Sequence, residues 1–223
     1  MIEQNKYREL PYLISYPEDF DERKQYPLIV FLHGAGTRCD DLNVLANNAC
    51  FVNLQKRQTA RGYLILAPLC GVHNWNEVMQ TVLELVDQTR NLPFADVTRV
   101  YATGNSMGGY GTWEIAMIKP DWFAAIMPVC GGGLGGFGAN LANVPVRTFH
   151  GLCDTVVDPI ESMQMVKSVN QKGGYAELIL FPHHDHNCWD TVYTTEENYD
   201  WLLQFSKTQA CSPDVNLSGE KYG

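Results

Sequence analysis

The chain is predicted to fold as an α/β domain, with a mostly parallel central sheet covered by helices on both faces. Three observations carry this. Short apolar runs of strand length recur along the 223 residues, segments with helical apolar spacing fall between them, and no internal repeat or linker divides the chain. Strands alternating with helices imply βαβ units, and such units build a parallel sheet buried on both sides. A single domain over 1–206 follows, with a polar tail at 207–223.

The elements justify themselves in order. Residues 12–16 end at Pro17 and suit an antiparallel entry strand. The runs 28–32 and 63–67 are continuously apolar and read as buried strands. Val78, Val82, Leu85 and Val86 then share one face of a helix. The stretch 99–103, with its apolar centre at 100–102, is a strand that runs into a glycine-rich turn and a helix at 110–118. Strands follow at 124–129 and 146–149. Met163, Val166, Val169 and Asn170 partly repeat the helical spacing before a last strand at 177–181.

Composition narrows the function. Sixteen Lys and Arg against twenty-five Asp and Glu give a formal charge of −9, which argues against nucleic acid or an anionic membrane as partner. No apolar run approaches the ~18–20 residues that span a bilayer. The N-terminus, MIEQNKYREL, has no apolar stretch before Pro11, so the expectation is a cytoplasmic chain without a secretory leader. Of the seven cysteines, an odd number with no C-x-x-C pair, most are expected to act as small buried hydrophobes in a reducing compartment, with one disulfide in an exported chain as the alternative.

Chemistry is concentrated at Gly104-Asn105-Ser106-Met107-Gly108-Gly109, a G-x-S-x-G pattern between a strand and a helix. Such a turn lifts the serine hydroxyl above the sheet at a helix N-terminus, where a developing oxyanion is favoured. A serine hydroxyl needs a base and an orienting acid, and in this architecture they follow it in the order acid, then histidine. His33 and His73 precede Ser106. Asp154 lies on the loop after the strand at 146–149, with Asp158 as its rival. His183, His184 and His186 lie just beyond the last strand.

The sequence resembles the α/β-hydrolase esterases of the phospholipase/carboxylesterase type, close to feruloyl-esterase-like and polyhydroxybutyrate-depolymerase-like members. The resemblance rests on ordered blocks: Phe31-Leu32-His33-Gly34-Ala35-Gly36; Ala67-Pro68 with Trp75; Gly104 to Gly109 with Tyr110-Gly111-Thr112-Trp113; Pro120-Asp121 with Phe123-Ala124-Ala125. Cys130-Gly131-Gly132, His150-Gly151 with Asp154, His186 with Trp189, and Tyr199-Asp200-Trp201-Leu202-Leu203 complete it. It implies an α/β-hydrolase fold without a large cap domain, with Ser106 as nucleophile, Asp154 as acid and His186 as base. It also implies that the backbone N–H groups of Ala35 and Met107 form the oxyanion hole. The implied activity is serine carboxylic ester hydrolysis on small or short-chain acyl esters, with a peptidase of related fold or a non-catalytic binding protein as alternatives. Two departures stand out: Asp185 replaces the usual glycine before the histidine, and Thr37-Arg38-Cys39 replaces Glu-Arg-Gly.

Other patterns carry less. Gly131 to Gly136 satisfies G-x-G-x-x-G, but Pro145 follows too soon for the helix a dinucleotide site requires, so a loop rimming the site is expected and no cofactor. The histidines at 183, 184 and 186 lack the spacing of a helical metal motif, and no metal is expected. Trp113 reads as core, whereas Trp75 and Trp189 sit on loops near the active edge and are candidates for substrate binding. Asn216-Leu217-Ser218 is a glycosylation sequon by pattern alone. The glycine-rich stretch 130–144 is too short and too flexible for a helical lid, so an open site for a small ester is expected. A second copy of the chain is the one macromolecular partner left open.

Overall fold

The computed structural model describes residues 1–207. The polar tail beyond, with Cys211 and the sequon at Asn216, lies outside the described residues. The chain opens with a hairpin, β1 (Ile2–Tyr7) and β2 (Leu10–Ser15), then β3 (Tyr26–Leu32), α1 (Leu42–Ala46), α2 (Ala49–Arg61) and β4 (Leu64–Pro68). Next come α3 (Met79–Arg90), β5 (Ala95–Asn105), α4 (Met107–Ile118), β6 (Ala125–Val129) and β7 (Val146–Gly151). The elements end with α5 (Ile160–Gln171), β8 (Ala176–Phe181), α6 (Trp189–Thr194) and α7 (Glu196–Leu203). The sheet order is β1-β2-β4-β3-β5-β6-β7-β8. β1 and β2 pair antiparallel, as do β2 and β4, and every other pairing is parallel.

The continuous apolar runs are explained by two cores. Leu28, Val30 and Leu32 of β3 share one core with Trp113, Ile115, Met165 and Val169 of α4 and α5, while Ile29 and Phe31 share the other with Phe51, Leu54, Val192 and Tyr193 of α2 and α6. Every residue from Leu28 to Leu32 is fully buried. Burying a Leu, Ile or Phe side chain contributes about 1.5–3 kcal/mol, so β3 anchors the sheet from both sides.

Two elements stand outside the apolar patterns read from the sequence, and one helical face is shifted. β1 is a strand that the apolar pattern does not reveal: its residues are exposed on a sheet edge, where Glu3 and Lys6 sit at no cost. α2 is a helix although Gln58 occupies an inward position, because that amide bonds the Ser15 hydroxyl and the Ser15 and Tyr63 carbonyls. In α5 the inward residue is Met165 rather than Met163, which is 37% exposed.

Candidate functional site

The site is built where β5 turns into α4. Ser106 occupies that turn at φ 55°, ψ −118°, a left-handed conformation that costs a non-glycine residue about 1–3 kcal/mol. The turn persists because the surrounding backbone holds it: the Ser106 N–H donates to the Val129 carbonyl at 2.9 Å, and the Tyr110 N–H donates to the Ser106 carbonyl at 3.1 Å. The glycine that follows is a matter of space. A Cβ on Gly108 would overlap the Leu32 carbonyl, so only glycine lets the first turn of α4 sit on the end of β3.

His186 comes from the loop between β8 and α6. That loop is tied to the loop after β7 by the Cys153 N–H donating to the His184 carbonyl at 2.9 Å. Gly151 lies so close to the carbonyls of His184 and Asp185 that no side chain fits there. The tight approach is thus absorbed at Gly151, and position 185 is free to be Asp. The Asp185 carboxylate points away and accepts from the Asn187 N–H at 3.1 Å.

The structure brings Ser106, His186 and Asp154 together. Ser106 Oγ lies 2.8 Å from His186 Nε2, and His186 Nδ1 lies 2.7 Å from Asp154 Oδ2. The carboxylate fixes the tautomer: Nδ1 carries the proton and donates to Asp154, leaving Nε2 to accept from the serine. Asp154 Oδ1 accepts from the N–H groups of Val156 and Val157 at 2.8 and 2.9 Å. Burial pushes the Asp154 pKa up, but the His186 bond and the two backbone N–H groups outweigh it, and the carboxyl lies below its ordinary value of 3.8. Asp158, the rival acid, is exposed and only accepts from the Ile160 N–H at the start of α5. His184 turns toward the Thr191 hydroxyl at 2.9 Å, and His183 is exposed.

Ala35 opens a short 3-10 turn and Met107 opens α4, so neither N–H has an intrahelical acceptor. Gly34 packs directly against Asn105, the residue before Ser106, which brings the Ala35 turn to the elbow. Arg38, in the stretch that departs from the family pattern, clamps this turn. Its Nε donates to the Ala35 carbonyl at 3.0 Å and its Nη1 to the His73 carbonyl at 2.8 Å.

The two loop tryptophans diverge. Trp189 stands edge-on to the His186 ring, centroids 5.2 Å apart, and is half-buried beside the site. Trp75 is buried rather than open to the site, which corrects its assignment as a substrate-binding residue. It is 1% exposed, packs on Gly111, and donates from Nε1 to the His33 carbonyl at 3.1 Å, underpinning the Ala35 turn from within. Trp113 is fully buried in the core. His33, too, is internal: its Nε2 accepts from the Cys70 N–H at 2.9 Å while Nδ1 donates to the Gly34 carbonyl at 2.8 Å. Burial pulls its pKa down to about 4.

The stretch 130–144 carries a 3-10 helix at Gly135–Leu141, and it rims a cavity of about 320 Å³. Asn76, Tyr110, Glu114, Gly132, Leu134 and Glu161 line this cavity, which begins one helical turn beyond Ser106. Burial and the nearby Glu161 and Asp154 push the Tyr110 phenol up to about 12, and burial raises Glu114. The sequence names Arg38 and His150 but gives neither a role: Arg38 bonds the Ala35 and His73 carbonyls, and His150 lies beside Asp154. Nothing about their residue type distinguishes them until the loops they join are in place.

The sheet order, the serine on the turn between strand and helix, and the acid and histidine after later strands define an α/β-hydrolase. No family model matches the chain. It is 26% identical over 173 residues to a probable feruloyl esterase C of Aspergillus terreus, covering 73% of this chain and 62% of that protein. It is 29% identical over 132 residues to dipeptidyl-peptidase 5 of Porphyromonas gingivalis, covering 53% of this chain and 19% of that one. The crystal structure of a thermostable esterase superimposes with a TM-score of 0.84 at 30% identity, over 93% of this chain and 63% of that one. The chain thus has the α/β-hydrolase fold and is similar in sequence to esterases of that fold, and it spans about three fifths of the length of the two esterases. Among the described residues no helix is long and apolar enough to cross a membrane, and the six described cysteines are unpaired.

Proposed function

We propose that the protein is a serine carboxylic ester hydrolase. The observation that carries this is the unbroken hydrogen-bond run from Ser106 Oγ through His186 to Asp154, at 2.8 and 2.7 Å. Ser106 Oγ attacks the ester carbonyl carbon as His186 Nε2 takes its proton, and Asp154 stabilises the imidazolium that forms. The N–H groups of Ala35 and Met107 receive the oxyanion. The intermediate collapses by breaking the bond to the alcohol oxygen, which leaves with the proton from Nε2. Water then repeats the sequence on the acyl-enzyme and releases the acid.

The substrate we infer is a small ester, with a short acyl chain or an aryl acid, carried on a hydroxylated alcohol. Tyr110, Glu114 and Glu161 in the neighbouring cavity offer hydroxyl-binding groups rather than a greasy tunnel. The feruloyl esterase relative agrees with an aryl ester. The dipeptidyl-peptidase relative supports a second reading, amide hydrolysis. Labelling by a fluorophosphonate, lost in Ser106→Ala, together with turnover of acetyl, butyryl and feruloyl esters and of dipeptide anilides, tests both. Ester turnover with inert anilides supports the proposal. The reverse ranking replaces it with the peptidase, and an unlabelled serine points to a binding protein.

A further inference from the structure

We propose that His150 is a positioning residue for Asp154, so that the acid is held between two imidazoles rather than facing one. This rests on the reading of Ser106, His186 and Asp154 as the reacting group. His150 lies on β7, fully buried, four residues before Asp154. Its Nε2 stands 3.2 Å from Asp154 Oδ2, the same oxygen that His186 Nδ1 meets at 2.7 Å, and 3.0 Å from the Val157 carbonyl. Both neighbours are acceptors, so Nε2 bears a proton and donates. On the far side of the ring, Nδ1 lies 2.8 Å from Ser162 Oγ of α5, and that hydroxyl also stands 2.8 Å from the Gly131 carbonyl, so its one proton lies between the two acceptors. Gly131 in turn packs against Gly109 and Tyr110, just after the nucleophile.

One ring therefore couples three separate pieces: the loop that carries the acid, helix α5, and the strand end that abuts the elbow. Asp154 accepts four donors in all, two on each oxygen, which leaves its carboxylate plane no freedom to rotate. The backbone N–H groups of Val156 and Val157 hold only Oδ1. Without His150, the oxygen that orients His186 would have no second donor, and the imidazole would lose its fixed aim at Ser106. His150 makes no hydrogen bond to Ser106, so it acts on the serine through Asp154, with the Ser162–Gly131 contact holding the ring in place.

The test measures the second-order rate at which a fluorophosphonate labels Ser106, alongside kcat and KM for nitrophenyl acetate and a thermal melt. His150→Met, which fills the space without a donor, is expected to slow labelling and kcat by roughly tenfold or more, as fits losing a hydrogen bond to a charged group. KM should stay within about twofold, since no substrate contact is lost. His150→Gln, whose amide can donate toward Asp154, is expected to restore most of the labelling rate. Should His150→Met not fold, Ser162→Ala carries the test: it leaves the ring in place but frees it, and should slow labelling several-fold at an intact fold. Labelling at the wild-type rate in a folded His150→Met, or in Ser162→Ala, overturns the proposal. So does a His150→Gln as slow as His150→Met. If wild-type protein is itself not labelled, the reading of the site fails instead, and the two failures are distinguished.

Discussion

Replacing Gly108 by alanine probes how the elbow is assembled. A Cβ there would stand 2.5 Å from the Leu32 carbonyl carbon and 2.8 Å from the His33 carbonyl oxygen, and nearer still to the Leu32 oxygen. Real Cβ atoms essentially never come within 3.0 Å. The end of β3 and the first turn of α4 must therefore part by roughly 0.5 Å against carbon and more against oxygen. All three obstructing atoms are backbone, so no side chain can rotate aside. The gap opens at the worst place: α4 begins with the Met107 N–H, and β3 leads through His33 and Gly34 to the Ala35 N–H. Misplacing a catalytic array by about 1 Å costs on the order of 10²-fold. Overpacking adds about 1–3 kcal/mol of destabilisation, at about 2–4 °C of melting temperature per kcal/mol for a domain of this size. We expect Gly108→Ala to lower kcat/KM on nitrophenyl acetate by about 100-fold and Tm by several degrees. Gly136→Ala, where nothing lies within 4 Å, should change neither. A folded Gly108→Ala that works within threefold of wild type would show that the oxyanion donors do not depend on this contact.

Ser106→Ala should abolish labelling and nearly all ester turnover, by up to about 10⁶ in kcat, with the melt little changed; retention of a tenth of the activity would reassign the nucleophile. Asp154→Asn should cost heavily by presenting the wrong partner to His186 Nδ1, whereas Asp158→Asn should cost only some stability at the start of α5, as steady-state rates of the pair would show. Stability should fall as pH drops from 6.5 toward 4, because unfolded His33 takes a proton that the folded, buried ring, with a pKa of about 4, refuses. That difference amounts to about 2 kcal/mol lost by pH 5, and urea unfolding of His33→Gln at pH 7 and 5 should show the slope flattened. Among nitrophenyl esters, kcat/KM should peak at short acyl chains, about C2 to C4, and fall by C8, since the short 3-10 stretch at Gly135–Leu141 offers little cover to bury further CH₂ groups at ~0.8 kcal/mol each; a steady rise through C8 would indicate a lipase-like site.

What the sequence made legible about the fold was whatever the two-sided sheet imposes directly. The strands β3 and β4 are buried on both faces, so every position is apolar and the runs stand out. The edge strand β1 has no such constraint, and its row of exposed residues, Ile2 to Lys6, reads as loop. In α2 the signals were present but local: Asn48 accepts from the Cys50 and Phe51 N–H groups at its start, and Gly62 ends it at φ 62°. Apolar periodicity does not register caps, and the buried Gln58 breaks it. α5 shows the opposite failure, since Met163 and Met165 are equally apolar and only packing decides which one turns inward.

The site divides along the same line. A serine between glycines after a strand is dictated by local sterics, so Ser106 was legible from its neighbours alone. Choosing among His183, His184 and His186 required the resemblance, because three imidazoles within four residues differ only in where the loop aims them. That aim depends on Gly151, thirty-five residues earlier, whose missing side chain admits the carbonyls of His184 and Asp185. The substitution of Asp for Gly at 185 therefore leaves the loop where it is, because the space it needs is supplied from the facing strand. Trp75 was misread for a related reason. A tryptophan on a loop beside an active edge is as able to face inward as outward, and here its indole N–H finds the His33 carbonyl, a partner that an open pocket would not provide. Ser106 thus stood out from a short pattern, whereas the contacts of Arg38, Trp75 and His150 emerge only when distant loops meet.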